Sequence, residues 1–428
     1  MSNSVPTPVT LDQWLAYIEA LHPKTIAMGL ERVKQVADRL ALNPTFPIIT
    51  IAGTNGKGSS CAMLEAIYAQ CGYRVGSYTS PHLLRYNERV RVNQQEISDE
   101  ALCRAFAAVE ASRDDIQLTY FEMGTLAAMW HFVQIGLDVA ILEVGMGGRL
   151  DAVNVFEPAC AIVTSVDLDH MEYLGDTREK IGFEKAGVYR AGKLAICGDE
   201  NPPNSLTAFA QKIGANLQLI GRDFRVEKNT QNDQNQGWQY LSENFSINLP
   251  NLALHGDFQL SNAACVICAV QYLREKLPAL QANIHAALRA VTLTGRFYRI
   301  KDNPNIIVDV AHNPQAAQSL AHNLQNTPCN GRTLAVFAML ADKDIAGVIH
   351  ELEPHISAWY LAGIHNARGA KAADLQRHLD NKAQVKLFEN VASALQTACK
   401  DAAKNDRIIV FGSFYSVAAA MEGLNFKA

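Results

Sequence analysis

A short apolar stretch, Phe46 to Ile51, runs directly into Gly53-Thr54-Asn55-Gly56-Lys57-Gly58-Ser59-Ser60, and a helical pattern follows from Ala62 to Gln70. Strand, glycine-rich turn, helix is the layout of a phosphate-binding loop. Glycines open backbone conformations closed to other residues. Their N–H groups can then converge on phosphate oxygens. Lys57 adds a point charge, and Ser59 or Ser60 a hydroxyl that can face Mg²⁺. The common G-x-x-x-x-G-K-[ST] spacing is not met. Its leading glycine would fall at position 51 rather than at Gly53, and Gly58 separates Lys57 from Ser59. Without a ligand such a segment is only a glycine-rich turn, but its place between a buried strand and a helix favours phosphate.

The rest of the pattern extends this unit into an α/β domain. Apolar residues at helical spacing run from Leu11 to Leu40, and His22-Pro23 and Gly29 break them into two helices. Strands are expected at Arg74–Tyr78, Val139–Val144, Ala161–Ser165 and Leu194–Cys197, with helices between several of them, for example Leu126–Val133. Such alternation predicts a mostly parallel sheet covered on both faces. Glu227 to Gln239 is rich in Asn and Gln and reads as a solvated loop or hairpin tip. A helix follows from about Ser261 to Leu273.

Near Leu293-Thr294-Gly295-Arg296 the rhythm restarts. Strand Asn305–Val310, helix Gln315–Asn323, strand Thr333–Ala338 and strands near Ala358–Leu361 and Arg407–Phe411 describe a second, smaller Rossmann-like unit. The expected architecture is therefore α/β: a phosphate-loop domain with a parallel sheet over 1–293, a linker at 294–296, and a C-terminal domain over 297–428. At 428 residues the chain has room for two or three domains.

Composition removes several classes. The formal net charge of −5 argues against a nucleic-acid binder dominated by phosphate contacts. No apolar run approaches the roughly 18 residues of a membrane helix. Met1 to Thr10 is polar and carries no signal-peptide pattern. Nine scattered cysteines read as reduced thiols in a cytoplasmic protein. Cys265 and Cys268 form a C-x-x-C without the second ligand pair that zinc needs, so two small buried helix residues is the plainer reading.

Further motifs recur in order along the chain: Ser80-Pro81-His82-Leu83 with Glu88-Arg89-Val90; Leu118-Thr119-Tyr120-Phe121-Glu122; Glu143-Val144-Gly145-Met146-Gly147-Gly148-Arg149-Leu150-Asp151-Ala152; Asp169-His170; Glu184-Lys185-Ala186-Gly187; Gly295-Arg296-Phe297; Asp309-Val310-Ala311-His312-Asn313-Pro314; and Gly412-Ser413-Phe414. Together with the loop at 53–59, this series resembles the Mur ligase superfamily of ATP-dependent amide-forming ligases, and within it the folylpolyglutamate synthase/dihydrofolate synthase family. The resemblance spans about Leu11 to Phe414. The segment Thr119–Glu122, and Lys24–Leu30 read as a helix, look most like the bifunctional bacterial form.

The resemblance implies a reaction. A substrate carboxylate attacks the γ-phosphate of ATP, and the amino group of L-glutamate displaces phosphate from the acyl phosphate. The acceptors would be 7,8-dihydropteroate and tetrahydrofolates. The substrate itself forms the activated intermediate, so no protein nucleophile is needed. The enzyme must position the reactants and neutralise their charge.

The resemblance also assigns residues. ATP would be held by Thr54, Asn55, Gly56, Lys57, Gly58 and Ser59, with Asn262, Arg296 and Asp309. Two Mg²⁺ sites would use Ser80 and Glu143, and His170 and Lys185. Glu143 ends a predicted parallel strand, where ligands gather and a carboxylate can take Mg²⁺. Imidazole is a poor partner for so hard a cation, so His170 rests on the resemblance alone. Lys185 would carry a CO₂-derived carbamate, which converts a cation beside Mg²⁺ into an oxygen-bearing anion. Lys57, Lys185 and His170 are the catalytic candidates. The pterin-bearing substrate would contact Ile26, Ala27, Met28, Thr119, Tyr120, Phe121, Glu122, Leu150, Asp151 and Ala152. His312 and Ser413 are candidates near glutamate or phosphate. The partners are then small molecules, with neither nucleic acid nor membrane, and the family form is a monomer.

Each residue also has a plainer reading. Ser80 can be a turn hydroxyl, Met28 and Tyr120 core residues, Arg296 a linker ion pair, Asp309 a helix cap. Three other functions compete with this one. A different Mur-type ligase fits the loop but not Ser80-Pro81-His82 or Thr119–Glu122. A nucleotide switch would hydrolyse ATP without regard to folate. A nicotinamide dehydrogenase lacks its G-x-G-x-x-G.

Overall fold

Ile48–Ala52 is buried at every position, on both faces of the sheet it joins, as the β-rich composition of this stretch requires. In the computed structural model, which describes residues 8–24, 26–229, 237–380 and 382–426, this strand is β1. The strands that follow are β2 (Val75–Tyr78), β3 (Val90–Val92), β4 (Gln95–Glu96), β5 (Val139–Glu143), β6 (Cys160–Val163), β7 (Leu194–Cys197) and β8 (Asn216–Leu219). They form one sheet in the order β4-β3-β2-β5-β1-β6-β7-β8. From β2 to β8 the pairs are parallel, and β3 and β4 add antiparallel strands at one edge. β1 pairs Thr50 with Leu142 on one side and with Ala161 on the other, so the phosphate loop leaves the middle of the sheet.

A three-stranded antiparallel sheet follows, of β9 (Phe224–Lys228), β10 (Gly237–Ser242) and β11 (Phe245–Pro250). The segment Glu227–Gln239, expected as a solvated loop or hairpin tip, joins the antiparallel pair β9–β10; Glu227, Lys228 and Gly237–Gln239 belong to the strands themselves, and Thr230–Gln236 lie outside the described residues.

The second sheet contains β12 (Tyr298–Lys301), β13 (Asn305–Asp309), β14 (Thr333–Phe337), β15 (Ala358–Ala362), β16 (Val385–Phe388) and β17 (Arg407–Phe411), in the order β12-β13-β17-β14-β15-β16. All its pairs are parallel except β12 with β13. Its core is built on Phe337, Phe411 and Trp359, with the rings of Phe337 and Phe411 4.8 Å apart.

The chain divides into two compact units. One holds the chain up to Asn251 and again Ser261–Val291; the other holds Leu252–Leu260 and the chain from Thr292 onward. Leu252–Leu260, expected in the first domain, groups with the second unit.

The expected helix over Lys24–Leu30 is not there. Ile26–Gly29 is irregular, Gly29 stands at φ 141°, and helix Glu31–Arg39 begins only beyond it. Pro23 and this glycine outweigh the apolar pattern; Thr25 lies outside the described residues. Cys265 and Cys268 are buried within helix Phe258–Leu273, in line with the plainer reading. All nine cysteines are free. Among the described residues no helix is long and apolar enough to cross a membrane.

Candidate active site

Helix Lys57–Gln70 starts on Gly56, at φ 91°. A glycine cap has no side chain to satisfy the first-turn N–H groups, which suits an anion. The loop before it is fixed from below. Thr54 N donates to Ser165 O (2.8 Å), Thr54 Oγ1 to Asp167 O (3.1 Å), and Thr164 Oγ1 to Asn55 O (2.6 Å). Lys57 Nζ folds over the loop and donates to the carbonyls of Gly53 (2.9 Å) and Thr54 (3.2 Å). A side chain at Gly53 would strike Thr164, and one at Gly56 would strike the buried Asn262. The structure thus brings Asn262 against the loop, 206 residues away in sequence.

Gly56→Ala should therefore fail twice, on its positive φ and on Asn262. We expect nucleotide affinity to drop at least about 100-fold and stability by about 1–3 kcal/mol. Calorimetric titration with ADP and urea unfolding check this; undiminished ADP binding would contradict it.

Glu143 ends β5 and is only 4% exposed. Its Oε2 accepts the N–H of Ser80 (3.0 Å), which follows the neighbouring β2. His170 follows β6 at φ 51°, its Nε2 3.7 Å from Asp169 Oδ2. Lys185 lies in helix Arg178–Ala186 and is 4% exposed. Burial, helped by the charge of Lys57 and opposed by Asp169 and Asp151, pushes its ammonium down to about 7. The same helix sits hard against the glycine-rich loop after β5. A side chain at Gly148 would meet the carbonyls of Glu184 and Lys185, and one at Gly187 would meet Arg149. Arg149 N donates to Glu184 O (2.8 Å), and Arg149 Nη2 pairs with Glu184 Oε1 (2.8 Å). The glycines of these two motifs are thus what lets the helix carrying Lys185 pack against the loop after β5.

Asp151 turns inward. Its carboxylate accepts the N–H groups of Met146 and Val153, both at 3.0 Å, and burial raises it to about 7 despite those bonds. Leu150 lies beside the irregular segment, its carbonyl accepting Gly29 N (3.4 Å), and Ala152 is buried.

A cation would find hard oxygen donors in Ser80 and Glu143, which fits Mg²⁺. Among the described residues no group of three or more His, Cys, Asp or Glu side chains could hold a metal ion. Such a site depends on oxygens from substrate or water, the habit of Mg²⁺ in phosphate chemistry.

Thr119 and Glu122 have local work. They form a capping box on helix Tyr120–Ile135, Thr119 N donating to Glu122 Oε2 (2.7 Å), and both are buried. Glu122 also accepts Arg32 Nη2 (2.8 Å), and the same nitrogen donates to Ala27 O (2.7 Å). Arg32, which sequence reasoning missed, thus joins the Ile26–Met28 segment to the start of this helix. Glu122→Ala removes a cap and an ion-pair partner together. It should cost about 2–3 kcal/mol, read by urea unfolding; an unchanged midpoint would contradict this account.

Tyr120 and Phe121 are half-buried. Phe121 packs on Tyr78, ring centroids 5.8 Å apart. The Arg89 guanidinium lies over the rings of Tyr86 (5.3 Å) and Tyr120 (5.6 Å), and its Nε donates to His82 Nδ1 (2.8 Å). Burial first, then Arg89, pushes His82 down to about 4, so it is neutral with its proton on Nε2. Arg89, His82 and Tyr86 were also missed as site residues, although two of them stand in the quoted motifs.

In the second unit Asp309 ends β13 and accepts Phe297 N (2.7 Å) and Ala311 N (2.8 Å). Burial raises its pKa, with the Arg296 guanidinium opposing. Arg296 lies over the Phe414 ring at 5.5 Å. His312 Nδ1 lies 2.8 Å from Val310 O, so that nitrogen carries the proton. Ser413 caps helix Phe414–Gly423 and accepts Ser416 N at 3.0 Å. Arg296, Asp309 and His312 therefore cluster, while the Ser413 hydroxyl serves its own helix.

Residues 51–270 match the family described as Mur ligase middle domain, and residues 295–414 match Mur ligase, glutamate ligase domain. The chain is 45% identical over 419 residues to the dihydrofolate synthase/folylpolyglutamate synthase of Escherichia coli (strain K12), covering 97% of this chain and 96% of the relative. It superposes on E. coli FolC in complex with DHPP and ADP with a TM-score of 0.91 at 44% identity, covering 98% of each chain. A bifunctional folylpolyglutamate synthase/dihydrofolate synthase with Mn, AMPPNP and L-glutamate bound gives a TM-score of 0.90 at 44% identity, over 98% of this chain and 100% of that one.

Proposed function

We propose a mechanism from the premise that this chain belongs to the Mur ligase family, among its dihydrofolate synthase/folylpolyglutamate synthase members. The enzyme is an ATP-dependent amide ligase that adds L-glutamate to 7,8-dihydropteroate, giving dihydrofolate, and to tetrahydrofolates, extending a γ-linked glutamate chain. The observation that carries the mechanism is the bond from Ser80 N to Glu143 at the carboxyl ends of β2 and β5, in the same sheet as β1, from which the Lys57 loop leaves.

The acceptor carboxylate attacks the γ-phosphorus of ATP, and ADP leaves. The glutamate amine then attacks the acyl carbon, loses a proton, and expels inorganic phosphate. Every reactant is anionic. The first-turn N–H groups after Gly56 and the Lys57 ammonium bind the phosphates and draw off charge as it shifts toward ADP. Ser80 and Glu143 would hold one Mg²⁺, and His170 with Lys185 a second; bound there, Mg²⁺ screens the anions from one another. Arg89, its guanidinium over two tyrosine rings, would supply positive charge to the acceptor. Ile26–Met28, Phe121 and Leu150 offer apolar surface for the pterin. Asn262 flanks the phosphate loop, and Arg296 and Asp309 are assigned to ATP. His312 and Ser413 are assigned to glutamate or phosphate, Ser413 from the turn after β17, where it caps the helix that follows.

Lys185 is the site we assign to CO₂. Carbamate formation needs a neutral amine, and a lysine held at about 7 supplies one near neutral pH. We place the enzyme in the cytoplasm as a monomer, consistent with its free cysteines.

The mechanism makes an isotopic prediction. With heavy oxygen in the acceptor carboxylate, one label should pass to the released phosphate, read by mass spectrometry. Phosphate without label would exclude the acyl phosphate.

A further inference from the structure

Glu65 lies two turns into the helix that begins at Lys57, and only 2% of it is exposed. A carboxylate buried there needs partners. It accepts Arg91 on β3 through Nη2 (2.7 Å) and Nε (3.2 Å), and it accepts Gln94 N (3.0 Å) in the turn between β3 and β4. That turn holds Asn93 and Gln94 at φ 52° and 64° without a glycine. Asn93 is pinned as well, its N–H on Val75 O (2.9 Å) and its Oδ1 accepting Val75 N (2.8 Å). The edge hairpin is therefore tied both to β2 and to the phosphate-loop helix.

Stability alone does not account for the ion pair, because a well-packed apolar pair of similar volume often serves as well. What the pair joins is more telling. β3 follows immediately on Arg89, whose carbonyl accepts Thr79 N (2.9 Å) beside Ser80. Ser80 N in turn holds Glu143. The helix presents Lys57 at its first residue.

We infer that Glu65 and Arg91 are positioning residues: their pairing fixes the hairpin that follows Arg89, and with it the Thr79–Ser80 turn bonded to the Arg89 carbonyl, against the helix presenting Lys57, and so sets the register between acceptor carboxylate and phosphate. The inference rests on the reading of Lys57 as the phosphate lysine and of Arg89 and Ser80 as the acceptor and metal side. Small errors in such alignment are expensive in rate.

The test is the double variant Glu65→Met/Arg91→Met, with Arg91→Lys beside it. Thermal unfolding, ADP affinity, kcat, acceptor KM and half-saturating Mg²⁺ are measured in each. The expected double variant melts within a few degrees of wild type and binds ADP within about twofold. Its kcat falls at least about tenfold, and its Mg²⁺ requirement rises at least about threefold. Arg91→Lys should recover part of kcat, since it keeps the charge but loses the fork. A folded double variant with wild-type kcat and Mg²⁺ requirement overturns the inference, and so does a loss of ADP affinity as large as the loss of kcat. If the double variant does not fold, Arg91→Lys decides: reduced kcat with intact ADP binding supports the inference, and unchanged kcat overturns it. A wild-type enzyme inert toward both acceptors would instead strike down the functional reading on which the inference rests.

Discussion

Lys57→Ala should lower the rate of ATP-dependent amide formation by about 100- to 1000-fold while leaving the fold in place. The Lys57 ammonium is part of a loop whose shape is set by other groups: Thr54, Asn55, Thr164 and Ser165 hold it through backbone and hydroxyl bonds. What disappears is a charge placed where phosphate oxygens must gather. Loss of one preorganised group of this kind costs about 3–4 kcal/mol in the transition state, a factor of about 150 to 900. The native state loses only the two hydrogen bonds to Gly53 and Thr54, worth about 1–3 kcal/mol together. Steady-state kinetics and thermal unfolding on the same preparation separate the two effects. A folded variant with near-wild-type turnover would remove Lys57 from the mechanism.

Lys185→Ala should be as severe, and here the loss should be partly reversible. The lysine is buried where Lys57 repels it and Asp169 and Asp151 draw it back. An unmodified ammonium there would compete with the cation that Glu143 and Ser80 would bind; a carbamate brings oxygen ligands instead. Truncation to Ala leaves space for a small carboxylate. Acetate or formate at high concentration should restore a measurable fraction of the activity, about tenfold above the unrescued variant. Exhaustive removal of CO₂ should depress the wild type and leave the rescued variant alone. Full activity of Lys185→Ala without any added carboxylate would exclude the carbamate.

Much of this arrangement is legible in the sequence because the phosphate loop is local. β1, the glycines and the following helix are consecutive, and each announces itself by composition. Glu143 at a strand end is legible for the same reason. The features that are not legible depend on tertiary proximity. Arg32 meets Glu122 across 90 residues, and Arg89 meets Tyr120 across 31; no spacing rule encodes either contact. The helix expected at Lys24–Leu30 fails because Gly29 takes a backbone angle outside the helical region, at a residue that the sequence already marks as a helix break. The β3–β4 hairpin lacks the glycine that normally marks so tight a turn, and the ties of Asn93 to Val75 and of Gln94 to Glu65 stand in for it. One signal was available and was read too narrowly. Thr119-Tyr120-Phe121-Glu122 follows the capping-box pattern, so its two polar side chains could have been assigned to the helix start, leaving Tyr120 and Phe121 to face a ligand.

The central claim is that one active centre serves two acceptors. The most direct test is ATP- and glutamate-dependent phosphate release by the purified enzyme, with 7,8-dihydropteroate and, separately, with a tetrahydrofolate. The account predicts release with both, and with neither when glutamate is withheld. Release with the tetrahydrofolate alone would contradict the assignment of Ile26–Met28, Phe121 and Leu150 to the pterin of dihydropteroate, and silence with both would contradict the ligase itself.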